Sequence, residues 1–169
     1  MKAAILTISD KAHRGEREDK SGPALAAWLK EHAVEIVSAR TVPDEQDAIA
    51  AQLIAWAGSG ICDLILTTGG TGVAPRDVTP EATRQVLERE IPGMGEAMRA
   101  ASLGKTPYAI LSRAVAGMRG RVLIVNLPGS PGGAVENLAA IWAAVPHAVG
   151  KIQGDPSDCV PASRAQQPV

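Results

Sequence analysis

Phenylalanine is missing from this chain of 169 residues, and aromatic side chains of any kind make up 2% of it: Trp28, Trp56, Trp142 and Tyr108. A core must therefore be built from Ala, Val, Leu and Ile, and the scarcity argues against a surface on which nucleobases would stack. An excess of positive charge is missing too. Lys and Arg number 17 against 18 Asp and Glu, a net charge of −1, so no basic face for nucleic acid is evident. Cysteine is scarce: Cys62 and Cys159 lie far apart and match no metal-ligand spacing. Cys62 borders an apolar run and reads as a small core residue, not a nucleophile. The histidines, His13, His32 and His147, are scattered and are expected at solvated positions. No apolar run approaches the ~20 residues of a membrane helix. The first strand pattern starts at Lys2 and leaves no room for a signal peptide, so the expected compartment is the cytoplasm.

Glycine is abundant where it matters. Leu64-Ile65-Leu66 is an apolar run of the kind a buried strand gives, and Thr67 and Thr68 end it. Gly69, Gly70 and Gly72 follow around Thr71, then Arg76-Asp77 and Thr79-Pro80-Glu81. The last trio predicts a helix start with Thr79 as N-cap. Strand, glycine loop and helix N-terminus together make an anion site at the carboxyl end of a sheet. The threonine hydroxyls and the Arg76 fork add donors. The loop is neither of the common phosphate motifs. A dinucleotide fingerprint starting at Gly70 would want glycine where Pro75 stands, and a P-loop would want a lysine that is absent.

Strand patterns also cover Lys2 to Ser9, Val34 to Val42 and Arg121 to Leu127, with a short candidate at Tyr108 to Leu111. Asp10 to Asp19 reads as a solvated loop; its Gly15–Ser21 stretch is a near miss to a P-loop. Helices are expected from Ser21, from Asp44 as N-cap, over Pro80 to Glu90, over Glu96 to Leu103, and after Pro131. Ser112 to Gly120 reads as a turn or hairpin. A second Gly/Pro-rich loop, Pro128 to Gly133, follows the last strand. Periodicity fades after His147. The expected domain covers residues 1–154, followed by a loosely ordered tail over 155–169. Strands alternating with helices predict an α/β fold around a mainly parallel sheet covered on both sides. The candidate binding residues then gather at strand ends: Ser9 and Asp10, Thr68 to Gly72, Arg76, Thr79, and Pro128, Gly129 and Ser130.

At these residues the chain resembles the molybdopterin-binding family of molybdenum-cofactor biosynthesis, and within it the Mog-type adenylyltransferases. The matching runs are Thr67 to Gly72, Arg76 to Ala82 and Asn126 to Pro131, with weaker matches at Ser9-Asp10, Asp19-Lys20, Pro43-Asp44-Glu45 and Leu111-Ser112-Arg113. The resemblance implies a three-layer α/β domain, usually a trimer, that binds molybdopterin and uses Mg-ATP to adenylylate its phosphate. It makes Asp44 and Asp77 the acidic pair for Mg²⁺ and catalysis. The Gly69–Gly72 loop would hold phosphates, and Ser112 and Pro128 to Ser130 would line the same pocket. Some bacterial Mog proteins carry a long insertion after the Asn-Leu-Pro-Gly loop. This chain lacks it, like the MoaB branch, but keeps the Arg-Asp-Val-Thr-Pro run that inactive-looking members lose. A molybdate-inserting Moe-type protein is a further expected partner. The alternatives are a non-catalytic pterin-binding or scaffold protein, and another nucleotide-dependent enzyme on a doubly wound sheet.

Overall fold

A computed structural model describes residues 1–157. β1 (Lys2–Ile8) pairs in parallel with β2 (Glu35–Val42) on one side and with β3 (Leu64–Thr68) on the other. β3 pairs in parallel with β6 (Val122–Leu127). β5 (Ala116–Arg119) folds back antiparallel onto β6, and the short β4 (Arg89–Glu90) closes that edge, giving the order β2-β1-β3-β6-β5-β4.

The central strands β1, β3 and β6 read as largely apolar runs because both of their faces are buried. Ala3, Ile5, Leu64, Leu66, Leu123 and Val125 point to one core, with residues of α2 (Ser21–Glu31), α5 (Pro92–Leu103), α6 (Pro131–Ile141) and α7 (Val145–Ile152). Ala4, Leu6, Ile8, Ile65 and Ile124 point to the other, with residues of α3 (Gln46–Ser59) and α4 (Thr79–Val86). The period-two alternation of a strand thus builds a three-layer α/β sandwich. Cys62 is buried in the second core, and burial pushes its thiol up to about 11, as a structural cysteine requires.

Several elements depart from the sequence reading. Asp10–His13 forms a single helical turn, α1, capped by Ser9, whose hydroxyl accepts from the Ala12 N–H. Pro107–Leu111 is a 3₁₀ turn, not a strand: Pro107 opens it and the Thr106 hydroxyl accepts from Tyr108 N–H. α4 stops at Val86, and Arg89–Glu90 becomes an edge strand. Pro92 starts α5, where the sequence reading has a break. α7 continues the helical layer past His147, burying Val145 and Val149. The tail expected over 155–169 falls, beyond Ser157, outside the described residues, and so does Cys159.

The four parallel strands end at one edge of the sheet. There Thr7 stands beside Thr68, and Thr68 beside Leu127. The chain runs outward from β1 to β2, then crosses back to β3, so the loops after β1 and β3 diverge. That divergence opens a crevice where open α/β sheets bind ligands.

Candidate phosphate site

The loop after β3 is held from below by its carbonyl groups. Gly69 O accepts from the Thr79 hydroxyl at 2.9 Å, and Gly70 O accepts from Thr79 N–H at 3.1 Å. Thr71 O accepts from Arg113 N–H at 2.9 Å, and Gly72 O accepts from Arg113 Nε at 2.6 Å. The same guanidinium donates to Asp77 O and pairs with Glu81. The carbonyls from Gly69 through Gly72 thus all face the protein. Among the described residues, the N–H groups of Gly70, Thr71 and Gly72 meet no protein acceptor. Amides left facing outward in this way form a nest for anions.

Glycine is required at the start of the nest. Gly69 and Gly70 both have positive φ, 105° and 61°. A Cβ on Gly69 would stand 2.2 Å from Ile8 O, so no side chain fits between β1 and the loop. Gly129 of the second loop lies against Gly69, and the Thr68 hydroxyl donates to Pro128 O at 2.7 Å. The two glycine loops therefore meet.

Three acids and an arginine frame this junction. Asp10 and Asp44 brace the ends of β1 and β2 reciprocally: Asp10 N–H donates to Asp44 Oδ2 at 2.7 Å, and Asp44 N–H donates to Asp10 Oδ1 at 3.0 Å. Arg76 clasps Asp10 with two bonds, Nε to Oδ2 at 2.9 Å and Nη2 to Oδ1 at 2.8 Å. That clasp and the Asp44 N–H hold the Asp10 carboxyl below the usual range. Burial, reinforced by the Asp10 and Asp77 charges, pushes Asp44 up, while the Asp10 N–H opposes the rise. Asp44 does not cap α3, since Glu45 holds that place without a side-chain bond. Asp77 is not the partner of Arg76; its Oδ2 accepts from Ala74 N–H at 2.8 Å, which folds the loop back beneath Gly72. Thr79 is likewise not the N-cap, because α4 starts on it and its hydroxyl is spent on Gly69 O.

Two clefts open on either side of the junction. A polar one of about 430 Å³ is lined by Ser9, Asp44, Gly69, Gly70, Gly129 and Ser130, together with Arg17 to Ser21. A more apolar one of about 260 Å³ is lined by Thr71, Gly72, Tyr108, Leu111, Ser112 and Pro128, among others. The candidate residues read from the sequence thus gather, but they divide between two clefts that share Ser130. Asp10, Arg76, Asp77 and Thr79 support the walls from outside.

Two important residues escape the sequence reading of the site. Arg113 stands there only as part of a weak match, yet it organises the whole loop. Asp19 reads as loop and as part of another weak match; in the structure it accepts from the Thr7 hydroxyl at 2.6 Å and from the Ser21 and Gly22 N–H groups at 3.0 Å, fixing the start of α2. The Asp-x-Ser-Gly-Pro spacing ahead of an apolar helix is the one local signal for that cap.

Comparison with known proteins agrees with this architecture. The family described as "probable molybdopterin binding domain" matches residues 4–147. The molybdopterin adenylyltransferase of Helicobacter pylori strain J99 is 45% identical over 153 residues, covering 89% of this chain and 87% of its own. That of Escherichia coli K12 is 41% identical over 168 residues, covering 91% and 86%. The crystal structure of the molybdopterin biosynthesis enzyme MoaB from Thermus thermophilus superposes with a TM-score of 0.86 at 52% identity, covering 93% of this chain and 99% of that one. This chain belongs to the molybdopterin-binding domain family of molybdenum cofactor biosynthesis.

Proposed function

We propose that the chain is a molybdopterin adenylyltransferase that moves AMP from ATP onto the terminal phosphate of molybdopterin. The observation that carries this reading is the Gly69–Gly72 nest, whose free amides stand where a polar and an apolar cleft meet. A triphosphate suits the polar cleft and a pterin the apolar one. The α-phosphate of ATP then lies at the nest, within reach of the pterin phosphate. An oxygen of the pterin phosphate attacks the α-phosphorus as the bond to the bridging oxygen breaks. Pyrophosphate leaves with that electron pair. No covalent help from a side chain is needed; the protein aligns the two phosphates and stabilises charge.

The donor set fits Mg²⁺. Among the described residues, Asp44 Oδ1 and Asp77 Oδ1 meet no protein donor, whereas Asp10 is taken by Arg76. No cluster of three His, Cys, Asp or Glu forms a cage among the described residues, and Mg²⁺ is commonly held by one or two carboxylates plus substrate phosphates. Asp44 and Asp77 would hold the ion, which when bound offsets negative charge on the phosphates. The same reading makes the protein a cytoplasmic homotrimer that hands its product to a Moe-type molybdate-inserting protein.

The test is incubation with molybdopterin, ATP and Mg²⁺, read by mass analysis. Adenylylated pterin and equimolar pyrophosphate are expected. Pterin bound without pyrophosphate release would make the chain a non-catalytic binding protein.

A further inference from the structure

The segment from Gly15 to Ser21 looks like an unused loop, yet Arg17 to Ser21 walls the polar cleft. We propose that Arg17 and Lys20 form the seat of the departing pyrophosphate, an assignment that rests on the adenylyl-transfer reading. Arg76 is clasped by Asp10, and Arg113 lies under the nest, spent on Glu81 and on backbone carbonyls. Arg17 and Lys20 line the polar cleft, and neither side chain has a hydrogen-bond or ion-pair partner among the described residues. Asp19, between them, is already engaged by the Thr7 hydroxyl and by the first amides of α2. Glu18 is the one unengaged acid of this stretch.

In-line transfer places attacker and leaving group on opposite sides of the α-phosphorus. The pterin phosphate approaches from the apolar cleft, so the β- and γ-phosphates point into the polar one. Arg17 and Lys20 border that cleft and not its neighbour. They therefore meet the two outer phosphates and not the AMP moiety.

Calorimetry with ATP, AMP and inorganic pyrophosphate as separate probes tests this on the full chain. Arg17→Gln/Lys20→Gln is expected to weaken ATP and pyrophosphate by roughly 10-fold or more while AMP changes by less than about twofold. Glu18→Gln is expected to tighten pyrophosphate, because it removes a like charge from the same wall. ATP and pyrophosphate affinities within about twofold of the parent, or an equal loss for AMP, would overturn the assignment. A parent protein that binds none of the three probes would instead overturn the adenylyl-transfer reading, and the assignment with it.

Discussion

Asp44 shows how an acid is set apart from its neighbours. Burial and two nearby carboxylates raise its pKa, so the folded protein holds the proton more tightly than the unfolded chain does. Stability from this group is therefore lost as pH rises from the ordinary aspartate range through the raised value, and stays lost above it. Asn keeps the oxygen that accepts from Asp10 N–H but carries no charge. Asp44→Asn is expected to melt at or above the parent at pH 7 without Mg²⁺, the difference closing in acid. With ATP present, Mg²⁺ should raise the melting temperature of the parent and not of the variant. Asp44→Asn and Asp77→Asn should each keep pterin binding while losing most Mg²⁺-dependent turnover; normal turnover in either would remove that residue from the ion. Arg113 gives a second residue-scale expectation. Its planar fork serves Gly72 O, Asp77 O and Glu81 together, which one ammonium cannot do. Arg113→Lys should still unfold cooperatively but lose about 100-fold in turnover through displacement of the nest. Asp44 and Asp77 came forward as a pair through the family resemblance of Pro43-Asp44-Glu45 and of the run from Arg76 to Ala82. Arg113 did not, because its acceptors, two carbonyls and the Glu81 carboxylate, lie 32 to 41 residues away.

At the level of elements, sequence patterns served where burial is symmetric and failed at edges. β1, β3 and β6 announce themselves because every position but Lys2 is buried. β4 has two exposed residues and exists only because Arg89 and Glu90 find Met118 and Gly117 across the sheet. The apolar residues of Pro107–Leu111 mimic a strand, but Tyr108 and Ile110 are exposed and a proline opens a 3₁₀ turn. α7 is the last helix among the described residues. Val145 and Val149 enter the core, and Gln153 ties back through its amide to Asp63 at 2.6 Å and through its carbonyl to Arg121. A chain ending at Gly154 should therefore melt within roughly 2–4 °C of the full chain. One ending at Ala144 should lose several times that. Scanning calorimetry of both decides where the domain ends.

Among the described residues, the stretch from Ala97 to Leu111 carries a band of exposed apolar side chains. Leu103, Tyr108, Ile110 and Leu111 are exposed, and Ala97, Ala100 and Ala101 of α5 lie exposed nearby in sequence. Patches of this kind mark association surfaces. Light scattering should give three times the monomer mass at micromolar concentration. Ile110→Asp, a charge placed in the band, should shift that mass downward while leaving the fold intact by circular dichroism. A monomeric parent would remove the trimer.

The sequence by itself determined the layered α/β class and the position of the glycine loops. Strand period, helix period and the steric freedom of glycine are local properties, readable from a few neighbours. It also brought Asp44, Asp77 and the loop residues forward as one group. Only the tertiary structure decided what each does there. Arg76 answers Asp10, not Asp77; Asp44 braces β1 against β2 instead of capping α3; Thr79 supports Gly69 from beneath. Those choices follow from hydrogen-bond geometry between segments 10 to 66 residues apart, where a shift of one strand in the sheet would hand each donor a different acceptor.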